Sequence, residues 1–222
     1  MPSHVWDSTL ENFRSAAASG EPMPAGVSVS AVSASLAFGL LAKVLKVSGR
    51  RKDFTGNLPK LEALLENVRG ESKRMMQFAD EDIAAFNAYV ATARLPQATD
   101  AERETRQRAV DAAVRKAIEV PLAAARAAAS GISLCSDAAS MAHPNVAADL
   151  GAATSLLASA MRVFLLCADS NIRQVASDPS AYRQAVAGRF EWENKAVRQA
   201  ESVFRQVAAT IDAAAAKQGK KA

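Results

Sequence analysis

Asp82 stands one helical turn ahead of Phe86 in the run Asp80-Glu81-Asp82-Ile83-Ala84-Ala85-Phe86. That spacing tucks one carboxylate of three against an apolar helical stripe. Burial lifts such an acid toward neutrality, where it both accepts and returns a proton. Asp80 and Glu81 turn to other faces and read as solvated. The plainer reading of Asp82 is an exposed acid on an amphipathic helix.

Two further polar residues sit where apolar sequence surrounds them. Asp149 opens a helix just after Pro144, where the helix dipole favours an acid with or without a function. Asn171 is an amide late in the same apolar run, either satisfied inside a bundle or aimed at a ligand. His4 and His143 have no Cys, His or carboxylate at ligand spacing, so no metal site is expected. The chain has no nucleotide-binding glycine motif and no nucleophile elbow. Arg50-Arg51-Lys52 reads as a solvated basic loop, and Met75-Met76 as core filler.

The elements that must carry these residues all read as helices. Leu10, Phe13 and Ala17 share one face of a short first helix that Gly20 and Pro22 end. A turn through Pro22-Met23-Pro24-Ala25-Gly26 feeds a long apolar helix from about Ser28 to Val47. Leu61, Leu64, Leu65 and Val68 begin an amphipathic helix that carries Asp82 and stops before Pro96, with a possible kink at Gly70. Thr99 and Glu102 form a capping box for the next helix, which is expected to kink at Pro121 and to run toward Ala129. A connection through Gly131 leads to a second apolar helix over Val146 to Val175, and a last amphipathic helix covers Tyr182 to about Ala215. The pattern predicts an all-α, multi-helix up-and-down bundle with two long apolar central helices. It forms one domain over residues 1–215, followed by a basic, disordered tail at 216–222.

Composition narrows the function further. Half of the residues are apolar and only 5% aromatic, which suits close helix packing and leaves few rings to stack on bases. Net charge is +4 with pI near 9.2, but Lys217, Lys220 and Lys221 supply much of the excess. No nucleic-acid partner is expected. Val27 to Ala42 is interrupted by serines and closed by Lys43, short of the roughly 18 to 20 apolar residues of a membrane span, so no membrane insertion is expected. The N-terminus has no basic and then apolar leader, and Cys135 and Cys167 are too few for a disulfide framework; a cytoplasmic protein is expected.

Five motifs then occur in order: Pro22-Met23-Pro24-Ala25-Gly26, Asp82-Ile83-Ala84-Ala85-Phe86, Arg94-Leu95-Pro96, Arg106 ahead of Val120-Pro121-Leu122, and Asp149-Leu150-Gly151. In this series the chain resembles the formiminotetrahydrofolate cyclodeaminase and methenyltetrahydrofolate cyclohydrolase family, from Trp6 to about Asp178. The resemblance implies an all-helical homodimer whose ligand is a tetrahydrofolate one-carbon derivative, with no metal or redox cofactor. The cyclohydrolase adds water to the methenyl bridge to give formyltetrahydrofolate; the cyclodeaminase closes a formimino group and expels ammonia.

On this resemblance Asp82 is the general acid and base, with Asp149 and Asn171 positioning substrate or water. Pro24, Gly26, Ser28, Arg94 and Pro96 line the site. With no fused formiminotransferase domain in the sequence, cyclohydrolase is preferred to cyclodeaminase. A third reading is a repurposed or non-catalytic member. It draws on four departures: where relatives carry three glycines after Pro-Thr-Pro this chain keeps only Gly26, with Ala25 and Val27 in the other two places, and Ala148 replaces Ser and Cys167 replaces Asn. A plain helical interaction module would explain the alanine-rich helices but not the ordered motifs.

Overall fold

The computed structural model describes residues 4–173 and 188–219. Its elements are α1 (Leu10–Ala17), α2 (Gly26–Gly49), α3 (Leu58–Thr92), α4 (Asp100–Ala139), α5 (Ala147–Arg173) and α6 (Arg189–Gly219), with single 3-10 turns at Val5–Asp7 and Pro144–Val146. No strand occurs among the described residues. The expected start of the last helix at Tyr182 and the residues beyond Gly219 lie outside them.

α2, α3, α4 and α5 pack as a ring, each on the next, and α5 closes on α2; α6 lies along α4 and α5. Side-chain contacts fix the directions. Ser28 meets Asp82 while Gly49 faces Leu61, so α2 and α3 run antiparallel. Glu71 bonds Ser130 while Arg106 bonds Thr92, so α3 and α4 do the same. Gly26 lies against Cys167 and Lys43 against Asp149, so α5 is antiparallel to α2 as well. The result is the expected up-and-down bundle.

The core is built of small residues punctuated by a few large ones. Phe38, Phe164, Leu41, Met161 and Leu157 are fully buried, and between them lie Ala31, Ala34, Ala124, Ala128 and Ala153 with no exposure. Small side chains let helix axes approach closely and leave room for the large ones to interdigitate. Gly131 marks the tightest place: a Cβ there would meet Phe38 Cζ at 2.7 Å. For that reason it is not a break. α4 runs on ten residues beyond the expected stop near Ala129, to Ala139. Gly70 likewise leaves α3 continuous from Leu58 to Thr92.

Three stretches, α2, α4 and Pro144–Arg173, are long and apolar enough by length and composition to cross a membrane. In the fold 61%, 67% and 56% of their most apolar windows are buried, so most of that surface is spent on packing helix against helix.

The N-terminal turn is fastened to α3. Val5 N–H donates to Asp80 Oδ1 at 2.7 Å, His4 Nδ1 lies 3.2 Å from Asp80 Oδ2, and Trp6 Nε1–H donates to the Met76 carbonyl at 3.0 Å. Asp80 is therefore half-buried and engaged rather than solvated, because the chain folds back over its face of α3.

Candidate functional site

α2 starts with no cap of its own. Ala25 is extended, with φ −121° and ψ −162°, and has no side-chain acceptor. The first N–H groups of a helix lack intrahelical partners and draw an anion to them. Asp82 supplies that anion from the C-terminal third of α3. Its Oδ2 accepts from Ser28 Oγ at 2.6 Å and from Ser28 N–H at 3.2 Å. Ser28 is fully buried and Asp82 half-buried. Burial pushes the Asp82 carboxyl above its ordinary value, and the two Ser28 hydrogen bonds oppose that rise without cancelling it. The group is thus a positioned carboxylate whose proton is held more tightly than usual.

α5 forms the third wall. A Cβ on Gly26 would lie 3.4 Å from Cys167 Sγ and 3.6 Å from Val163 Cγ1, which is ordinary contact, so α2 and α5 touch closely here. Burial raises the Cys167 thiol, and the Asp82 charge raises it further. The two groups therefore share one electrostatic neighbourhood. The substituted turn is accommodated without strain. No described residue has positive φ, and Val27 is a buried residue in ordinary helix. Pro24, also buried, follows a cis peptide bond from Met23.

Asn171 lies one turn beyond Cys167. Its Nδ2 donates to the Ala117 carbonyl at 2.7 Å. Pro121 has no N–H to give the carbonyl four residues earlier, so this amide closes the gap that Pro121 opens in α4. Its donor side is thereby committed to the scaffold, and its Oδ1 is the atom left for other work.

The structure brings Asp82, Ser28, Gly26 and Cys167 together, with Asn171 one turn away. Asp149 is elsewhere within the chain. It pairs with Lys43 Nζ at 2.7 Å, five turns or about 27 Å from Cys167 along α5. Arg94 and Pro96 are exposed beyond the end of α3, about 18 Å from Asp82 for Arg94. Arg106, quoted in the sequence only as part of a motif, caps that end of α3: its Nε donates to the Thr92 carbonyl at 3.2 Å and its Nη1 to Gln97 Oε1 at 3.2 Å.

A groove between the ends of α3 and α4 is marked in the sequence by alanine at helical spacing among charged residues, Ala88 and Ala91 on α3 and Ala109, Ala112 and Ala113 on α4, and it takes in Leu95 of the Arg94-Leu95-Pro96 motif. Among the described residues no three His, Cys, Asp or Glu side chains gather as a metal site would require.

The structure is thus an up-and-down helical bundle with a half-buried carboxylate on a helix start, and comparison with known proteins names its family. Residues 9–191 match the formiminotransferase-cyclodeaminase family model, and the chain belongs to that family. The chain is 29% identical over 145 residues to the methenyltetrahydrofolate cyclohydrolase of Methylorubrum extorquens, covering 65% of this chain and 70% of that one. It is 28% identical over 121 residues to the formimidoyltransferase-cyclodeaminase of Sus scrofa, a match that spans 54% of this chain but only 22% of the pig protein. The crystal structure of a formiminotetrahydrofolate cyclodeaminase from Thermotoga maritima superposes with a TM-score of 0.76 at 18% identity, over 96% of this chain and all of that one, which establishes the shared fold.

Proposed function

We propose that this chain is a tetrahydrofolate one-carbon enzyme that hydrolyses the methenyl bridge of methenyltetrahydrofolate to formyltetrahydrofolate. The observation that carries the reading is the Asp82 carboxylate, pinned through Oδ2 by Ser28 at the start of α2 and raised by burial. The similarity to the Methylorubrum cyclohydrolase over most of both chains supports the choice of reaction.

The chemistry follows from that placement. The methenyl carbon is an amidinium and carries positive charge, which an ionised Asp82 attracts. Asp82 takes one proton from water as the oxygen bonds to this carbon and the C=N electron pair moves onto nitrogen. It then returns that proton to the departing nitrogen as the C–N bond breaks, and the hydroxyl proton leaves to solvent as the formyl C=O forms. Only water is consumed, so the sequence of steps calls for no redox group or metal. Ser28 holds the carboxylate in one orientation, which is what general acid–base catalysis requires of its scaffold.

We read the working unit as a homodimer in a reducing, cytoplasmic setting, acting on a folate and on no nucleic acid or membrane. α2 and α5 leave Leu36 53% exposed and Leu166 68% exposed on the two most apolar helices, surface that a second copy would cover. Both cysteines are free thiols.

Purified protein mixed with methenyltetrahydrofolate should bleach the bridged chromophore faster than buffer does, and Asp82→Asn should lose the acceleration. No acceleration together with no folate binding by calorimetry would refute the reading. Release of ammonia from formiminotetrahydrofolate, with no action on the methenyl compound, would replace it with the cyclodeaminase reaction.

A further inference from the structure

Arg126 is the only charged residue of α4 between Glu119 and Asp137, in an alanine-rich stretch that otherwise builds the core. It is exposed, its own helix puts no acid within a turn of it, and its guanidinium lies over the Trp192 ring of α6, 5.5 Å from the centroid. Two turns on, Ser133 Oγ donates to Gln199 Oε1 at 2.9 Å, across 66 positions. The Arg126–Trp192 contact has the same offset, so α4 and α6 run parallel in one register. Between the two contacts Ala129 and Ala196 supply only methyl groups, and the helices leave a cavity of about 270 Å³. That is just below the roughly 300–1,000 Å³ of drug-sized ligand sites and suits a small ion.

The charge in this wall has one sign. Lys195 follows Trp192 by three residues, about 4.5 Å along α6, so its ammonium and the Arg126 guanidinium border the same space. No Asp or Glu lines the cavity, and among the described residues neither cation forms an ion pair. Glu191, one turn before Lys195, is exposed and outside the lining. Glu71 of α3 lies behind Ser130, whose Oγ donates to Glu71 Oε1 at 3.2 Å. With its proton committed there, the Ser130 hydroxyl has only acceptor capacity left. A matching ligand carries negative charge toward Arg126 and Lys195 and a proton toward Ser130.

We propose that the cavity between α4 and α6 is an anion site for hydrogenphosphate, with its charged oxygens on Arg126 and Lys195 and its hydroxyl on Ser130. Gln199 Nε2, left free by the bond from Ser133 to Oε1, adds a neutral donor. Charge-assisted bonds from two cations supply the hold. None of Asp82, Ser28, Gly26 and Cys167 lines this cavity, so it is a second site, independent of the folate reading.

Calorimetric titration of inorganic phosphate into the whole protein tests it, above neutral pH and at constant ionic strength so that screening is the same throughout. Wild type should bind saturably with Kd of about 1 mM or tighter. Arg126→Met and Lys195→Met, both at exposed positions away from the core, should each weaken binding about tenfold or more. Arg198→Met, on exposed α6 surface outside the lining, should bind as wild type does. Sulfate, doubly charged but with no proton to give, should bind wild type less tightly than phosphate, and that preference should shrink in Ser130→Ala. In a Trp6→Phe background the Trp192 emission should change over the same concentration range, as Arg126 leaves the ring for the anion. Wild type with no saturable phosphate binding, wild-type affinity in both cation variants, or sulfate bound as tightly as phosphate overturns the assignment. Each of these results leaves the cyclohydrolase reading untouched.

Discussion

Asn171 gives its side-chain N–H to the carbonyl of Ala117, the one carbonyl of α4 that Pro121 leaves without its helical donor. A residue 54 positions away thus completes a hydrogen-bond ladder that the local sequence breaks. Replacing it by an isosteric apolar group, Asn171→Leu, should cost about 1–3 kcal/mol, the penalty for a part-buried carbonyl with no partner. In a Pro121→Ala background, where the backbone N–H is restored, the same change should cost measurably less. Urea denaturation of the four proteins of this cycle measures the difference.

The burial of Asp82 has a consequence for stability. Its folded-state pKa lies above the ordinary 3.8, so the native state holds the proton more tightly than the unfolded chain does. Its ionisation therefore erodes stability as pH rises through the window between the unfolded and the raised folded value, and the erosion is complete above that window. Asp82→Asn should melt at an equal or higher temperature than wild type at pH 7, with the difference shrinking as pH falls toward 4. The kcat profile of wild type should show an acid limb displaced above 3.8, absent from any residual activity of the Asn variant. A melt clearly lower than wild type at pH 7 would make Asp82 a structural cap first.

Cys167 offers a chemical gauge of that carboxylate. Its thiol is raised by burial and then by the Asp82 charge, whereas Cys135 is buried and pushed up to about 12. A disulfide reagent should therefore label Cys167 slowly and Cys135 only on unfolding. In Asp82→Asn the Cys167 rate should increase, since one cause of its raised pKa is gone. Mass spectrometry of the labelled peptides separates the two sites.

The tight crossing of α2 and α4 predicts a packing cost. A Cβ at position 131 would stand 2.7 Å from Phe38 Cζ and 3.0 Å from Leu157 Cδ1. Gly131→Ala should destabilise by about 1–3 kcal/mol through overpacking, despite the better helix propensity of alanine. Pairing it with Phe38→Leu should recover part of the loss, as thermal melts would show.

The same residues mark what could be read before the fold was seen. Helix identity was legible because apolar spacing and the Thr99–Glu102 box are local signals. Gly131 was misleading, since a glycine that ends a helix and one that admits a phenylalanine from another helix look alike in sequence. Asp82 and Ser28 were each identifiable as candidates, but their pairing joins α3 to α2 across 54 positions. Asp149 shows the reverse: a residue in the right motif that one chain places at the far end of α5, beside Lys43. Arg106 and Asn171 carry motif-like positions whose visible work is to cap α3 and to mend α4.

Trp6 hangs over α3 with its indole N–H on Met76, six residues before Asp82, or about 9 Å along the helix. The chain has only one other tryptophan, Trp192, on α6. In a Trp192→Phe background the fluorescence of the protein would come from a single indole beside the candidate acid. Quenching of that light by a pterin would then time the arrival of substrate, separately from the bleaching that reports its conversion.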